Sequence, residues 1–554
     1  MTGHSVDRTP IEGDDVDRTP VEGADVCVVG AGPAGAILSH SLARRGHEVV
    51  VLEAGPRFDM ESRIDRMKRQ IRPDASVEEI WDMGGERDAY TTSGVQSWPL
   101  NKRRVKGVGG TSLHWGGVTP RFHPKDFEME SRYGVARDWP IGYEDLRPYY
   151  VRAEAEIGVA GDESAEHIAP RDEPYPMDAF EPSYTDQLFA QAGEELGIDI
   201  HSIPLAYNDG TYERNECEGY GTCQYVCPNG AKYSADVHVE KAEEEGATVV
   251  DRAPVQRLEH GPDGQQVTGA VYETPDGESH RQEADVFVAA AGAYETPRLL
   301  FLSESDHYPD GLANSSGTLG KYFMGHPPAA VFGILPDQET YQGVNGVALS
   351  SCTYQFYEDE SGERGSINIM FSSTAGPSPA EIALRSDATG DDLLETVDGQ
   401  FGNALGMTIA VEMLPRADNR ITLDDSRTDD RGNPVLDLQM EPGAFARRAQ
   451  ERAIEVGTDL IEELGGTVIY GEGTMTSTHD DLSASAQGGY HPMGGTRMGT
   501  DPEKSVVDPT LRTHDLDNLY VSGGGVFVTS GAANPTLTVM ALSLKAADHI
   551  DERL

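Results

Sequence analysis

Positive charge is scarce in this chain of 554 residues: 44 lysines and arginines face 94 aspartates and glutamates, a formal charge of −50, and only nine of the basic residues are lysines. Such a chain excludes nucleic acid and anionic lipid as partners, because it would repel their phosphates. The acids are spread along the whole length, which points to a solvated acidic shell and not to a docking patch for one cationic partner. The composition reads as adaptation to concentrated salt, where screening over about 3 Å at 1 M removes the self-repulsion. Long apolar runs are missing as well. No segment reaches the roughly 18 apolar residues of a membrane span. The first 23 residues contain no apolar run for a signal-peptide core; they repeat VDRTPIEG as VDRTPVEG and read as a disordered tail. The chain by itself therefore reads as soluble and cytoplasmic, with export beside a signal-bearing partner as the alternative. Cysteine is rare too, five in all, yet three of the five fall within eleven residues.

The length allows about two to four folding units. Residues 25–29 read as a buried strand, 30–35 as a tight turn, 36–45 as a helix and 48–52 as a second strand ending at Glu53, which makes a βαβ unit. A further buried strand, 285–290, runs into a turn and helix at 292–300. Stretches at 365–371 and 405–414 alternate as strands do, and 444–464 carries a helical pattern, so a separate, mainly antiparallel layer is expected. The Pro- and acid-rich segment 160–182 reads as a loop.

The turn spells GxGxxG, a weak signal alone but stronger between a strand and a helix. Gly30 permits the turn, Gly32 lets a pyrophosphate approach the backbone, and Gly35 allows close packing. The helix N-terminus then faces the phosphates. Glu53, eighteen residues beyond Gly35, stands where a carboxylate can bond ribose hydroxyls. FAD and NAD are not separated by this fingerprint.

Near the other end, Tyr490-His491-Pro492-Met493-Gly494-Gly495-Thr496-Arg497-Met498-Gly499 and Asn534-Pro535-Thr536 supply a base and a hydrogen-bonding amide. Oxidising an alcohol needs a hydride acceptor and a base for the hydroxyl proton, and imidazole, with an ordinary pKa of ~6.5, suits the second task. Asn534 before Pro535 is equally a good helix N-cap.

These segments resemble the glucose-methanol-choline family of flavoprotein oxidoreductases. The glycine-dense loop Gly107-Val108-Gly109-Gly110-Thr111-Ser112-Leu113-His114-Trp115-Gly116-Gly117 matches the family's first signature and 292–300 its second; with 138–146 and 314–317 the likeness covers essentially all of 24–550. The resemblance implies an α/β plus α+β fold. A Rossmann-like FAD-binding domain in three parts, 24–125, 235–327 and 485–554, would be interleaved with a substrate domain, 126–234 and 328–484, built on a mainly antiparallel sheet. It implies FAD held by Gly30, Gly32, Gly35, Glu53, Gly109, Gly110, Thr111, His114, Gly523, Pro535 and Thr536. His491 would be the base and Asn534 its partner, holding the substrate oxygen while hydride passes to the flavin. A helix starting near Pro535 would aim its N-terminus at the flavin pyrimidine edge. His114 stands where some sugar-oxidising relatives attach the flavin covalently, and reads equally as a hydrogen-bonding loop histidine. Relatives commonly carry Asp at the position of Gly523, so contact there would come from backbone.

The cysteines are spaced Cys217-x5-Cys223-x3-Cys227-Pro228, close to the Cys-Pro end of ferredoxin runs but with a different first spacing. The pattern resembles the family branch of flavin-dependent glucose, fructose and gluconate dehydrogenases, which implies a 3Fe-4S cluster on Cys217, Cys223 and Cys227. A disulfide with one thiol left over and a zinc site needing a fourth ligand are the alternatives; Cys352 would be that ligand if the fold brought it near. Cys27 reads as a small core residue. With a cluster the implied enzyme is a dehydrogenase of a sugar, sugar acid or other alcohol, working with a small subunit and a quinone or cytochrome acceptor. Without it, an oxygen-reducing oxidase of the same family comes next. A non-catalytic flavin electron-transfer or redox-sensing protein is the reading from another class.

Overall fold

Four-residue apolar runs, mostly β-branched, become strands at Val26–Val29, Val49–Leu52 and Val286–Ala289, buried at every position, as strands covered on both faces require. With Thr248–Val250 and Leu519–Val521 they form one parallel sheet in the order 519–521, 286–289, 26–29, 49–52, 248–250. Its strands thus come from the early, middle and late parts of the chain. The computed structural model describes residues 17–70, 72, 76–94, 98–335, 349–372, 379–473 and 489–554.

The helix after the first strand, Pro33–Ala43, starts three residues earlier than the apolar pattern suggests. Proline at its first position has its φ already set for a helix and loses no needed N–H. The helix Thr536–Asp551 packs against it and against the helix Tyr143–Ile157.

The second sheet is antiparallel, with six strands in the order Thr467–Gly473, Pro328–Ile334, Ala404–Val411, Ile367–Ser372, Leu349–Thr353, His201–Ser202. The edge strand 201–202 comes from the middle excursion of the chain. One face of the sheet packs on the helix Gly443–Glu463, whose buried Phe445, Ala446, Ala449, Ala453, Val456 and Leu460 recur at helical spacing. Side chains of the opposite face, among them Ala330 and Phe332, line a cavity toward the parallel sheet. The fold is therefore the expected α/β plus α+β arrangement, with the parallel and antiparallel layers interleaved in sequence.

Within 160–182 the only strands are the two-residue pair Ala160–Gly161 and Met177–Asp178. Of the expected tail, residues 1–16 lie outside the described residues, as do 336–348, 373–378 and 474–484 of the expected substrate domain. Residues 17–23, also expected to be tail, lie against the body instead. Arg18 pairs with Asp251 at 3.1 Å, and Val21 exchanges two backbone hydrogen bonds with the Gln282 amide at 2.9 and 2.8 Å. Among the described residues no helix is long and apolar enough to cross a membrane.

Candidate active site

The glycine turn after the first strand does two separate jobs. Gly30 has φ +107°, and a Cβ there would sit 2.7 Å from the Ala290 carbonyl oxygen; one on Gly35 would sit 2.0 Å from the Gly30 oxygen. These two set how closely turn, helix and sheet approach. Gly32 is different: its φ is −78°, and its nearest neighbour to an added Cβ is Gly110 Cα at 3.9 Å. The space in front of it is open, and no side chain caps the helix that begins there, so its first N–H groups face that space. The second glycine loop crosses over the turn, with Gly109 N–H donating to the Ala31 carbonyl at 3.0 Å.

Glu53 closes this end. Its oxygens accept from the N–H groups of Ala31 and Gly55, each at 2.9 Å. Burial pushes its carboxyl up to about 7 against the pull of those bonds, and the residue lines the cavity.

That cavity has a volume of about 1240 Å³, above the roughly 300–1,000 Å³ of small-ligand pockets, and so has room for a dinucleotide beside a substrate. Gly30, Gly32 and Glu53 lie on its wall together with Gly110, Thr111, His114, Gly523, Pro535, Thr536, His491 and Asn534. Gly35 and Gly109 lie behind the wall and shape it. His114 Nε2 is buried without a hydrogen bond, and burial, then Lys232 and Arg103, push its ring down to about 3. It is a neutral imidazole with an unused nitrogen at the cavity. Gly523 has φ +135° and ψ −175°, a region essentially confined to glycine, which gives a physical reason for glycine here. The donor set fits FAD: an uncapped helix end and open glycine for a pyrophosphate, a carboxylate for a ribose, an imidazole with one free nitrogen further along.

His491 lies at φ +62° in the short strand Tyr490–Met493, which pairs with Met324–His326. Its Nδ1 is 2.9 Å from His326 Nδ1, and His326 Nε2 is 3.1 Å from the Ser530 carbonyl oxygen. A carbonyl only accepts, so His326 carries its proton on Nε2 and accepts at Nδ1. His491 must then carry its proton on Nδ1. Its Nε2 keeps the lone pair and meets the Asn534 amide nitrogen at 3.1 Å. Both rings are neutral: burial pushes His326 down to about 4, and burial, then His326 and Arg103, holds His491 well below its usual value.

Asn534 does not cap the following helix. The helix starts at Thr536 with Pro535 in the cap position and no side-chain cap bond; the Asn534 amide faces His491, and its oxygen accepts from Asn368 at 3.4 Å. The segment leading to it is clamped from behind. Tyr357 OH donates to Asp126 at 2.7 Å and accepts from the N–H groups of Ala532 and Ala533, both at 3.1 Å.

The cysteine loop abuts the same cavity, since Gly221, Gln224 and Tyr225 line it. Cys223 is buried and Cys217 and Cys227 are half-buried. Burial pushes the Cys217 thiol up to about 11, and Cys227 Sγ accepts from Lys232 N–H at 3.3 Å. The Lys232 ammonium, 2% exposed, donates to the carbonyls of Trp115 at 2.5 Å and Cys223 at 2.6 Å. Among the described residues it makes no ion pair with a carboxylate. This buried cation lies between the cysteine loop and the second glycine loop, where the charges of Cys227 and Cys223 would favour it. Cys352 is elsewhere: it is buried on the strand 349–353, with His201 Nδ1 3.8 Å from its sulfur, and supplies no fourth ligand. Burial pushes Cys27 up to about 12, as befits a core residue.

His326 and Asn368 escaped sequence reasoning. His326 precedes two prolines at the seam between expected domains, and only its pairing with His491 across the strands marks it.

Two family models described as GMC oxidoreductase match residues 91–327 and 415–543, and one described as FAD binding domain matches 23–71. The chain is 34% identical to the fructose dehydrogenase large subunit of Gluconobacter japonicus over 95% of this chain and 97% of that one. It is 31% identical to a 2-methyl-1,2-propanediol dehydrogenase of Mycolicibacterium austroafricanum, over 95% of each. The gluconate 2-dehydrogenase flavoprotein of Pantoea cypripedii is 25% identical over 95% of this chain and 93% of its own. Among solved structures, a pyridoxine 4-oxidase superposes with a TM-score of 0.64 at 19% identity, covering 96% of this chain and 99% of that one, which shows a common fold.

Proposed function

Since this chain belongs to the GMC oxidoreductase family, and so is an FAD-dependent oxidoreductase acting on CH-OH donors, we propose that it is a dehydrogenase of a sugar, sugar acid or other alcohol with His491 as base. The observation that carries this reading is the lone pair on His491 Nε2, fixed by His326 and facing Asn534 inside the cavity that the glycine turn opens into. Bound FAD supplies a two-electron acceptor. His491 Nε2 takes the proton of the substrate hydroxyl, while the Asn534 amide donates to the substrate oxygen and fixes its orientation. As the carbonyl forms, the C–H hydrogen leaves with its bonding electron pair. Protonated His491 keeps its Nδ1–H bonded to His326, so the ring does not turn as it gains charge. Gly32, Glu53 and the helix end at Pro33 would hold the pyrophosphate and ribose, and Gly110, Thr111, His114, Gly523, Pro535 and Thr536 the remainder.

Cys217, Cys223 and Cys227 would hold a 3Fe-4S cluster, which would supply a one-electron outlet to an external acceptor. Support comes from the carboxylate-free Lys232 beside the thiols and from relatives named as dehydrogenases of fructose and gluconate, one of them the large subunit of its complex. A small subunit and a quinone or cytochrome acceptor follow as partners.

The test pairs two variants. His491→Ala should keep its flavin and lose ~10²- to 10⁴-fold in substrate-driven flavin bleaching; unchanged bleaching removes His491 as base. Cys223→Ser should lose the paramagnetic signal of the cluster and turnover with a one-electron acceptor while bleaching persists. Iron-free native protein that forms peroxide in air would instead identify an oxidase.

A further inference from the structure

We propose that His40, Glu156 and His238 form a structural site for a divalent metal of the zinc type, separate from the cavity and from the cysteine loop. Three helices meet there: Pro33–Ala43 brings His40, Tyr143–Ile157 brings Glu156, and Asp236–Glu244 brings His238. Among the described residues this is the group of three potential ligands whose donor atoms all lie within 4.8 Å of one another. His238 Nε2 is 3.3 Å from Glu156 Oε2, and His40 Nδ1 is 3.9 Å from the same oxygen. Donors placed tetrahedrally around zinc at about 2.0–2.1 Å lie about 3.3 Å apart. The trio is thus close to ligating distance before any ion enters.

The protonation states suit a metal as well. Burial is the leading cause that pushes His40 down to about 4 and lowers His238, while the His238 hydrogen bond holds Glu156 down at about 2. At neutral pH two neutral imidazoles and a carboxylate face one point; an ion displaces only the proton that His238 Nε2 holds against Glu156, and the free ring nitrogen beside the Tyr233 hydroxyl can take it. The other nitrogen of His238 is 2.7 Å from the Tyr233 hydroxyl, the outer partner that orients a ligating imidazole. His40, 6% exposed, makes no ring hydrogen bond to any described residue; the 3.9 Å gap to Glu156 is too long for one.

Cations face the site too. Arg44 binds the other carboxylate oxygen, Oε1, at 3.3 Å, which leaves Oε2 as a single donor. Lys241 and Arg214 also repel charge at His238. Arg44 is 46% exposed, so water screens its charge. Glu156, 20% exposed, gives the ion a path from solvent and a place for a water as fourth ligand. Imidazole and carboxylate donors suit zinc, and a site closed by three protein ligands from three helices would tie the helix behind the pyrophosphate turn to the one that follows the cysteine loop.

The experiment uses the flavin-loaded protein, stripped with a chelator and dialysed against micromolar Zn²⁺. One zinc per chain and a raised unfolding midpoint are expected, both lost in His40→Ala and in His238→Ala and both kept in Cys223→Ser. Glu156→Gln, which keeps side-chain shape, guards against misfolding of the histidine variants and should also lose the ion. Zinc retained by the histidine and Glu156 variants, zinc lost with Cys223→Ser alone, or no zinc bound would each overturn the site and leave the trio a hydrogen-bonded contact.

Discussion

A second imidazole decides which nitrogen of His491 is basic. In His326→Leu the Nδ1 proton of His491 loses its acceptor, the ring is free to tip, and flavin bleaching by substrate should slow about 10²-fold, the scale of a misplaced reacting group. His326→Gln offers a carbonyl to the same proton and should recover part of the rate. The pH profile separates this from mere loosening. His491 is held well below its usual value first by burial and then by His326, so the base stays unprotonated as the pH falls past ~6.5. Above about pH 4 His326 is neutral and acts on His491 as the acceptor of its Nδ1 proton, which favours the charged ring; in His326→Leu that support is lost and the acid limb of the bleaching rate should move downward. A fall in rate with an unmoved limb would make His326 a packing residue. At this scale the sequence pointed to His491 and Asn534, because each stands in a motif whose chemistry is local, and the fold sets the two side chains 3.1 Å apart. It did not disclose His326, whose meaning comes from a partner 165 residues away.

Two glycines three positions apart should fail in opposite ways. Gly32 has an ordinary φ and open space ahead, so Gly32→Val should fold and unfold like the parent yet carry no flavin, its side chain standing where the pyrophosphate would approach. Gly35→Val would drive a Cβ to 2.0 Å from the Gly30 oxygen, a clash within backbone that should cost about 3 kcal/mol of stability, read from denaturant unfolding of flavin-free protein. Flavin retained by Gly32→Val would contradict the placement of the dinucleotide. Elements of this kind were legible in the chain because their signals are strong. Four consecutive buried apolar residues, mostly valine, mark a parallel strand, and the long amphipathic pattern near 444–464 appears as Gly443–Glu463. Short pieces were not legible. His201–Ser202 at the edge of the antiparallel sheet, and Tyr90–Thr92 paired with Pro434–Gln439, are too brief to show a period, and tertiary pairing alone makes them strands.

For the whole molecule, charge sets the conditions of stability. With a net charge of −50, repulsion among carboxylates acts over about 10 Å at 0.1 M salt and about 3 Å at 1 M. Exposed pairs such as Lys68 with Asp65 weaken over the same range, but water already screens them and they contribute little. Relief of repulsion should dominate, and the unfolding midpoint should rise with KCl between about 0.1 and 2 M; a flat or falling midpoint would remove salt adaptation as the reason for the composition. The interleaved sheet carries a different consequence, one of timing. Strand 519–521 borders 286–289, and the Thr536–Asp551 helix lies on Pro33–Ala43. The glycine turn therefore leaves the ribosome long before the segment holding Asn534, roughly half a minute or more at 5–20 residues per second. Throughout that interval the nascent chain exposes an unfinished apolar sheet edge and can hold no complete flavin cradle, so the cofactor can stabilise the fold only when synthesis is nearly finished.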